Sequence, residues 1–277
     1  MRAVFIHKPI MKHLISFMNP LDWMCLARAF PLATRKFPYR ETLNNLAFAH
    51  ILLCLTHYFS GNGDIAQFIL DNLGTHYALT GGFLLASMTG DAHFMHGDLD
   101  IIHVIHTRTG PVLEDHLVER GWMTDRAPNT VYARNANSNL SCVMDYVVYG
   151  KHVQVLHVAD CPSYVQGFDL SFCKNYYNPT EGLVVFNLEA IIRKQCRVNL
   201  EQSHLGIHVP RKILEKAQVV EARIAKWRAR GYNICIEPEM EVDALCALLM
   251  RSRAADDGED FQEIAKECNL LWVNKRS

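Results

Sequence analysis

Two carboxylates, Asp98 and Asp100, stand two positions apart at the start of an apolar stretch, "DLDIIHVI". Alternate residues of a β-strand share a face, so both carboxylates would point the same way while Leu99 turns into the core. Like charges at this spacing repel each other, and burial makes it more costly to keep both ionised. A divalent cation would compensate both effects, because Mg²⁺ is typically held by a few carboxylates together with phosphate oxygens. The pair therefore predicts a metal site.

A third acid, Asp169, lies between Phe168 and Leu170 in the apolar segment "GFDLSF", which predicts a strand. If this strand runs beside the first, its carboxylate joins Asp98 and Asp100. Three convergent carboxylates are what two-metal phosphoryl transfer requires, since one metal ion activates the attacking oxygen and the other steadies the triphosphate. Taken alone, an acid at such a position is more often a turn or cap residue.

Upstream of the acids, Gly81 and Gly82 connect a short predicted strand, "HYALT", to a short predicted helix, "FLLASM". Glycine lets the backbone approach a phosphate closely, and the N-terminus of the following helix favours anions. Ser87, one turn further along, is a candidate hydrogen-bond donor to the same phosphate. Taken alone, a double glycine more often makes only a turn, and Asp-x-Asp is common at exposed strand ends. The order in which these signals follow one another favours a phosphate and metal site.

The elements that must position these residues follow from hydrophobic periodicity and from the breakers between segments. Residues 1–60 are predicted to be helical, residues 61–200 alternate between helices and strands, and residues 201–277 return to helix. We therefore predict an α+β fold with a mixed sheet, an N-terminal helical segment and C-terminal helices. Further expectations are an N-cap at Asp64, a tight turn at Gly150 and Lys151, strands in "TVYARN" and "FDLSFCKNYY", and a helix in "LEAIIRKQCRV".

The order of these motifs resembles the pattern of the nucleotidyltransferase superfamily related to DNA polymerase beta. In that pattern an apolar strand leads to Gly-Gly or Gly-Ser, a short helix, hydrophobic-Asp-hydrophobic-Asp/Glu-hydrophobic, and a later hydrophobic-Asp-hydrophobic. The matching residues are Gly81-Gly82, Asp98-Leu99-Asp100-Ile101 and Phe168-Asp169-Leu170. The resemblance covers roughly residues 74–200 and implies a mixed-sheet nucleotidyltransferase palm.

The resemblance also implies roles for the matching residues. Asp98, Asp100 and Asp169 would bind Mg²⁺ or Mn²⁺. The phosphates of a nucleoside triphosphate (NTP) substrate would be held by Gly81, Gly82 and Ser87. The sequence departs from the pattern in two places: the insertion "MTGDAHFMHG" lengthens the interval from the glycines to the acids, and Gly97 replaces an apolar residue before Asp98. Both departures affect the expected phosphate geometry more than the expected metal ligands.

A wider pattern extends beyond the site. The segments "HVQVLHV", "GFDLSFCKNYYNP" and "ARIAKWRARGYNI" are similar to those of uncharacterised nucleotidyltransferase-like proteins of large DNA viruses. This likeness implies the fold rather than a substrate.

Residues 9–37 resemble an F-box, with an apolar helix, the core "NPLDWMCLARAF" and an aromatic, basic tail. F-boxes bind the adaptor subunit of cullin-RING ubiquitin ligases, so the resemblance implies a protein partner for this segment. Large DNA viruses do encode F-box proteins. A helical cap packed on the following domain would show the same apolar spacing, so the sequence leaves both interpretations open.

Lysine and arginine residues are concentrated in residues 193–230. In the nucleotidyltransferase superfamily, a helix after the palm often flanks the nucleotide or the acceptor. This basic region is therefore a candidate contact for RNA or another acceptor, with Lys212, Arg223 and Lys226 as the residues that would face phosphate. A solvated charged helix face is the more common meaning of such a run.

The overall composition limits which classes of partner and which cellular compartment are expected. The chain has 28 Lys and Arg against 29 Asp and Glu, so no global charge indicates a nucleic acid or a membrane partner. Its most apolar run, residues 46–59, is too short to span a bilayer. Its 9 cysteines contain no CxxC pair, and its 14 histidines show no HExxH or paired zinc-ligand spacing. Without a signal peptide at the start of the sequence, we expect the cytoplasm or nucleus, of a host cell if the protein is viral.

Together these observations predict a metal-dependent nucleotidyltransferase that moves a nucleotidyl group from an NTP to a hydroxyl of an unidentified acceptor. The alternative is a catalytically silent protein of the same fold that acts as an F-box-type adaptor for a ubiquitin ligase. The sequence names neither the base of the NTP nor the acceptor.

Overall fold

The structure, a computed structural model, describes residues 8–35, 37–74, 76–91, 97–105, 113–128, 139–199 and 222–237. The chain divides into two compact units, Met1–Ile192 and Arg193–Ser277. The described helices of the first unit are α1 (Lys8–Ile15), α2 (Pro20–Ala29), α3 (Pro31–Thr34), α4 (Tyr39–Tyr58), α5 (Gly63–Leu73), α6 (Gly81–Thr89), α7 (Leu113–Glu119), α8 (Cys161–Gln166) and α9 (Leu188–Ile192). Its strands are β1 (Tyr77–Thr80), β2 (Leu99–Val104), β3 (Met123–Pro128), β4 (Leu140–Val148), β5 (Lys151–Val158), β6 (Asn175–Asn178) and β7 (Gly182–Val185).

The N-terminal helices begin and end where capping residues and breakers stand in the sequence. The side chain of Asn19 accepts a hydrogen bond from the backbone N–H of Asp22 at 2.8 Å, and the Asp22 carboxylate accepts one from the backbone N–H of Asn19 at 3.3 Å. Pro20 occupies the first turn of α2, where its missing N–H costs nothing. Trp23 is fully buried, and its Nε1 donates to the backbone oxygen of Tyr39 at 3.3 Å. Helix α2 is therefore held against the start of α4.

Helix α4 contains the most apolar run of the chain, and it packs against α2, α5 and α6. Its buried positions recur at helical spacing: Leu43, Leu46, Ala47, Ile51, Cys54, Leu55 and Tyr58. The helix therefore buries one stripe in the core, as its periodicity predicts. Within the described part of the chain, no helix has both the length and the apolar character needed to cross a membrane.

The N-cap of α5 differs from the prediction. Asn62, and not Asp64, caps the helix, because the Asn62 side chain accepts a hydrogen bond from the backbone N–H of Ile65 at 3.2 Å. Asp64 lies inside the first turn, where its charge is still favourable beside the positive end of the helix dipole. The predicted cap is therefore wrong by two positions, although the helix itself is confirmed.

A seven-stranded mixed sheet forms the centre of the first unit, in the order β3-β4-β5-β2-β1-β6-β7. Neighbouring strands are antiparallel except for β2 and β5, which are parallel. The predicted α+β class with a mixed sheet is thereby confirmed. One face of the sheet packs against α8, through a cluster that includes Ala78, Ile102, Val143, Leu156, Tyr164, Val165 and Tyr176.

Several local predictions are corrected by the structure. The segment 168–170 is not a strand: it lies in bends between α8 and a 3₁₀ turn at Ser171–Cys173, and the strand β6 starts only at Asn175. The turn between β4 and β5 is formed by Tyr149 and Gly150, which both have positive φ, and it does not include Lys151. The predicted helix in 188–198 stops at Ile192, because the chain turns into a strand from Gln195. The strand predicted for 130–135 lies outside the described residues.

The second unit contains the parallel strands β8 (Gln195–Asn199) and β9 (Asn233–Glu237), with helix α10 at residues 222–229. Trp227 and Tyr232 are buried and contact each other edge to face, with ring centroids 5.1 Å apart. Arg228 donates to the backbone oxygen of Ile234 at 2.7 Å. Part of the basic run therefore stabilises this unit internally. Of the three phosphate-facing candidates, Lys212 lies outside the described residues, and Arg223 and Lys226 lie on α10.

Candidate functional site

Asp98 and Asp100 lie at the start of β2: Asp98 immediately precedes the strand, and Asp100 is its second residue. Strand β1 runs antiparallel beside β2, and Thr80 at the end of β1 pairs with Asp100. Because α6 begins at Gly81, directly after Thr80, the start of this helix is placed beside Asp100. The structure therefore brings the glycine motif and the two acids to the same end of two neighbouring strands.

Gly81 makes a close approach to Asp100 that a Cβ atom would obstruct. Its φ is +72°, in the left-handed region that glycine adopts without strain. A Cβ atom at this position would overlap Oδ2 of the Asp100 carboxylate. The backbone at the start of α6 therefore lies directly beside the Asp100 carboxylate. Gly82 follows as the second residue of α6.

The strand on the other side of β2 carries an amide where a third carboxylate was expected. Strand β5 is parallel to β2, and Gln154 is the residue opposite Asp100. Gln154 in turn lies opposite Asp145 on β4. Directly paired residues share a face, so Asp100, Gln154 and Asp145 form a row across three strands. Gln154 is buried and its Nε2 donates to Asp145 Oδ1 at 2.9 Å, which holds the third carboxylate of this site in place.

An imidazole lies between the outer acids of the site. His152 Nδ1 is 3.0 Å from Asp98 Oδ1, and His152 Nε2 is 3.7 Å from Asp145 Oδ1. The side chains of His152 and Asp98 are 43% and 49% exposed, so solvent reaches this end of the site. With the proton on Nδ1, the ring would donate to Asp98 and would turn the lone pair of Nε2 toward Asp145.

Tyr58, at the end of α4, connects the N-terminal helices to this site. Its hydroxyl donates to the backbone oxygen of His152 at 2.6 Å. Burial raises the pKa of Tyr58 well above its usual range, and the negative charges of Asp98 and Asp100 raise it further. The phenol therefore stays protonated and remains a hydrogen-bond donor under the carboxylates.

Comparison with known proteins leaves the family of this chain open. No protein-family model and no curated protein matches it. The resemblance to nucleotidyltransferases therefore stays a prediction from the sequence motifs.

Two of the residues singled out from the sequence do not lie where that likeness would place them. Ser87 is buried on α6, and its hydroxyl donates to the Phe83 backbone oxygen of its own helix at 3.1 Å, as expected of a core serine rather than a phosphate ligand. Asp169 lies in a bend after α8. The strands that flank β2 are β1 and β5, and Asp169 belongs to neither of them. The strand predicted for residues 168–170 is therefore wrong, and the role of Asp169 as a third carboxylate stays a prediction.

The sequence interpretation missed Asp145, His152 and Gln154. A usable signal existed for Asp145, which lies between Met144 and Tyr146 and matches the hydrophobic-Asp-hydrophobic pattern as well as residues 168–170 do. For His152 and Gln154, only the register of β5 against β2 shows that they reach the site.

The oxygen atoms at this end of the sheet suit a hard divalent cation. Carboxylates from Asp98, Asp100 and Asp145 and the side-chain oxygen of Gln154 are the ligand types that Mg²⁺ and Mn²⁺ prefer. Three carboxylates on one face also carry a local negative charge that a cation would neutralise. Among the described residues, these carboxylates do not form a group whose ligand atoms all lie within 4.8 Å of one another, so a shared ion would require them to move closer together.

Proposed function

We propose that this protein is a metal-dependent nucleotidyltransferase that acts on an NTP and the hydroxyl of an acceptor. One observation carries the proposal: the backbone at Gly81 lies against the carboxylate of Asp100, at the point where a strand leads into a helix. This contact puts backbone N–H groups suited to phosphate next to carboxylates suited to Mg²⁺.

In the proposed reaction, the acceptor oxygen attacks the α-phosphorus, the bond from that phosphorus to the β-phosphate oxygen breaks, and pyrophosphate leaves. Mg²⁺, when bound, would neutralise the phosphate charge and make the acceptor hydroxyl more acidic. Asp98 and Asp100 would hold the ion, and Asp145 would complete its ligands in place of Asp169. The proton of the hydroxyl would go to Nε2 of His152, whose Nδ1 is 3.0 Å from Asp98. The backbone N–H groups at Gly81 and Gly82 would contact the phosphates.

The choice of Asp145 over Asp169 as third carboxylate gives a direct prediction. Asp145→Asn should weaken Mn²⁺ binding by about 10-fold or more and lower any NTP turnover, because a charged ligand becomes a neutral one. Asp169→Asn is the matched control and should bind Mn²⁺ like the wild type. Binding is measured from the electron paramagnetic resonance signal of free Mn²⁺. Weakened binding in Asp169→Asn with normal binding in Asp145→Asn would reverse the assignment.

A second candidate function is favoured by a separate observation. The F-box-like segment 9–37, which includes α2, α3 and most of α1, exposes large apolar side chains: Ile10, Leu14, Phe17, Phe30 and Leu32. We propose this surface as the adaptor contact if the metal site is catalytically silent. Trp23 is unsuitable for testing the idea, because it is fully buried and its loss would damage the core.

The adaptor function is tested by a pair of exposed residues. Phe17 and Leu32 are 74% and 68% exposed, so Phe17→Ser/Leu32→Ser should leave the fold intact and abolish co-purification of a ubiquitin-ligase adaptor subunit. Leu53→Ser is the control, since Leu53 is 65% exposed on α4 outside the segment. Adaptor capture that is equal in the double variant and in the control would rule out this surface.

A further inference from the structure

A second cluster of ligand-type side chains lies at the other end of β2, on the opposite face of the sheet from Asp100. His103 on β2 and His157 on β5 are direct partners across the parallel strands. His103 is three positions after Asp100, and an odd separation in a strand reverses the face. Glu114, in the first turn of α7, contributes a buried carboxylate to the same place. This cluster is separate from the proposed nucleotide site.

The distances within the cluster are close to those of a metal centre. The Nδ1 atoms of His103 and His157 are 3.1 Å apart. Glu114 Oε1 is 4.0 Å from His103 Nδ1 and 3.9 Å from His157 Nε2. A tetrahedral zinc ion with bonds of about 2.0–2.1 Å holds its ligand atoms about 3.3 Å apart. With one ligand atom taken from each residue, the three side chains already lie within 4.8 Å of one another, so small side-chain rotations would bring them to this spacing.

Tyr77 fixes the orientation of two of the three ligands. Its hydroxyl donates to Glu114 Oε2 at 2.7 Å and accepts from the backbone N–H of Leu113 at 3.1 Å. The ring of Tyr77 stacks on the His103 ring, with centroids 4.4 Å apart and planes 16° from parallel. One carboxylate oxygen is thus held by Tyr77, which leaves the other to face the imidazoles. Outer partners of this kind are what position ligands in metal sites.

Burying a carboxylate together with two imidazoles costs free energy unless a cation compensates the negative charge. Only 8% of the Glu114 side chain is exposed, with 14% for His103 and 17% for His157. A buried carboxylate requires a positive partner. Two imidazoles face the Glu114 carboxylate here, and each offers a ring nitrogen to a cation. A neutral imidazole keeps the lone pair that a metal binds.

We propose that His103, His157 and Glu114 form a transition-metal site that takes Zn²⁺. Two imidazoles and one carboxylate are ligands for zinc-class ions and not for Mg²⁺. Three protein ligands leave one position of the tetrahedron for water or another donor. The bound ion would tie α7 to the centre of the sheet, because its ligands come from β2, β5 and α7.

The test uses the full chain after removal of metal with a chelator. Zn²⁺ is titrated against a chromophoric chelator, and thermal unfolding is followed with and without the ion. We expect one ion per chain, and an unfolding midpoint higher by about 5 °C or more at saturating Zn²⁺. Substitution by Co²⁺ should give the visible absorption of a tetrahedral centre. A wild-type chain that binds no Zn²⁺ at micromolar concentration, and whose midpoint is unchanged, would overturn the proposal.

Variants separate this site from adventitious binding. Glu114→Gln keeps the shape and an acceptor for Tyr77, and His157→Gln keeps a polar group; each should weaken Zn²⁺ binding by about 100-fold. His116→Ala is the matched control, since His116 lies on the same helix in an exposed pair with Glu119. Asp98→Asn should also bind Zn²⁺ normally. Wild-type affinity in Glu114→Gln and His157→Gln, or equal loss in His116→Ala, would show that the ion binds elsewhere.

Discussion

Asp100→Asn is expected to abolish metal-dependent nucleotidyl transfer, with turnover lower by about 10³-fold or more. Asparagine has the size of aspartate but lacks the charge that, in the proposed function, would hold a divalent cation beside the Gly81 backbone. The fold should be retained, because the substitution also relieves repulsion from Asp98. The measurement is pyrophosphate released from each of the four NTPs, with Mg²⁺ or Mn²⁺ and with total RNA as acceptor. Circular dichroism and thermal unfolding report the fold in parallel.

The matched control for this variant is Asp64→Asn. Asp64 is exposed in the first turn of α5, so the change removes the same charge away from the site. It should leave pyrophosphate release at the wild-type level. Release that is equally fast in Asp100→Asn and in the wild type would contradict a catalytic role for this carboxylate. Loss of the folded state in Asp100→Asn would also count against a metal site, since it would make the acid a structural residue.

Gly81→Ala is expected to lower the free energy of unfolding by about 2–4 kcal/mol and to abolish nucleotide binding. About 1–2 kcal/mol comes from forcing alanine into a left-handed conformation, and the remainder comes from the overlap of its Cβ with Asp100. The displaced carboxylate would no longer be able to share a cation with Asp98. Urea unfolding gives the stability, and calorimetry with NTP gives the binding.

Two further variants separate the causes of this loss. Gly121 has φ +68° and open space around its Cβ position, so Gly121→Ala should show the conformational cost alone. Asp100→Ala should partly restore the stability of Gly81→Ala, because it removes the group that the new Cβ overlaps, with a coupling of about 1–3 kcal/mol. Additive effects of Gly81→Ala and Asp100→Ala would contradict the contact between these two residues.

The parts of the structure that follow from local sequence were predictable. Asn19 and Pro20 indicate the start of α2, and the apolar spacing of residues 40–59 indicates α4. The sequence motif predicts that Gly81 and Asp100 belong to one site. The antiparallel pairing of β1 with β2 does place these two residues side by side. Capping and periodicity act within a few residues, so a single sequence displays them.

Local sequence does not predict which other side chains join Gly81 and Asp100, because strand order depends on packing between segments that are distant in the chain. Asp145 and Asp169 each stand between two apolar residues, and only the order β4-β5-β2 shows that Asp145 lies on the sheet, two strands from Asp100. The cluster of His103, His157 and Glu114 could not be predicted from the sequence for the same reason. His103 and His157 are 54 positions apart and have no short-range spacing, and they meet because β2 and β5 are parallel and in register.

The most direct test of the account is calorimetric titration of each NTP, with and without Mg²⁺, into the wild type and into Asp98→Asn/Asp100→Asn. We predict that the wild type binds at least one NTP only when Mg²⁺ is present, and that the double variant binds none while its thermal unfolding stays normal. A folded wild type that binds no NTP, or a double variant that binds as tightly as the wild type, would contradict nucleotidyl transfer at this site.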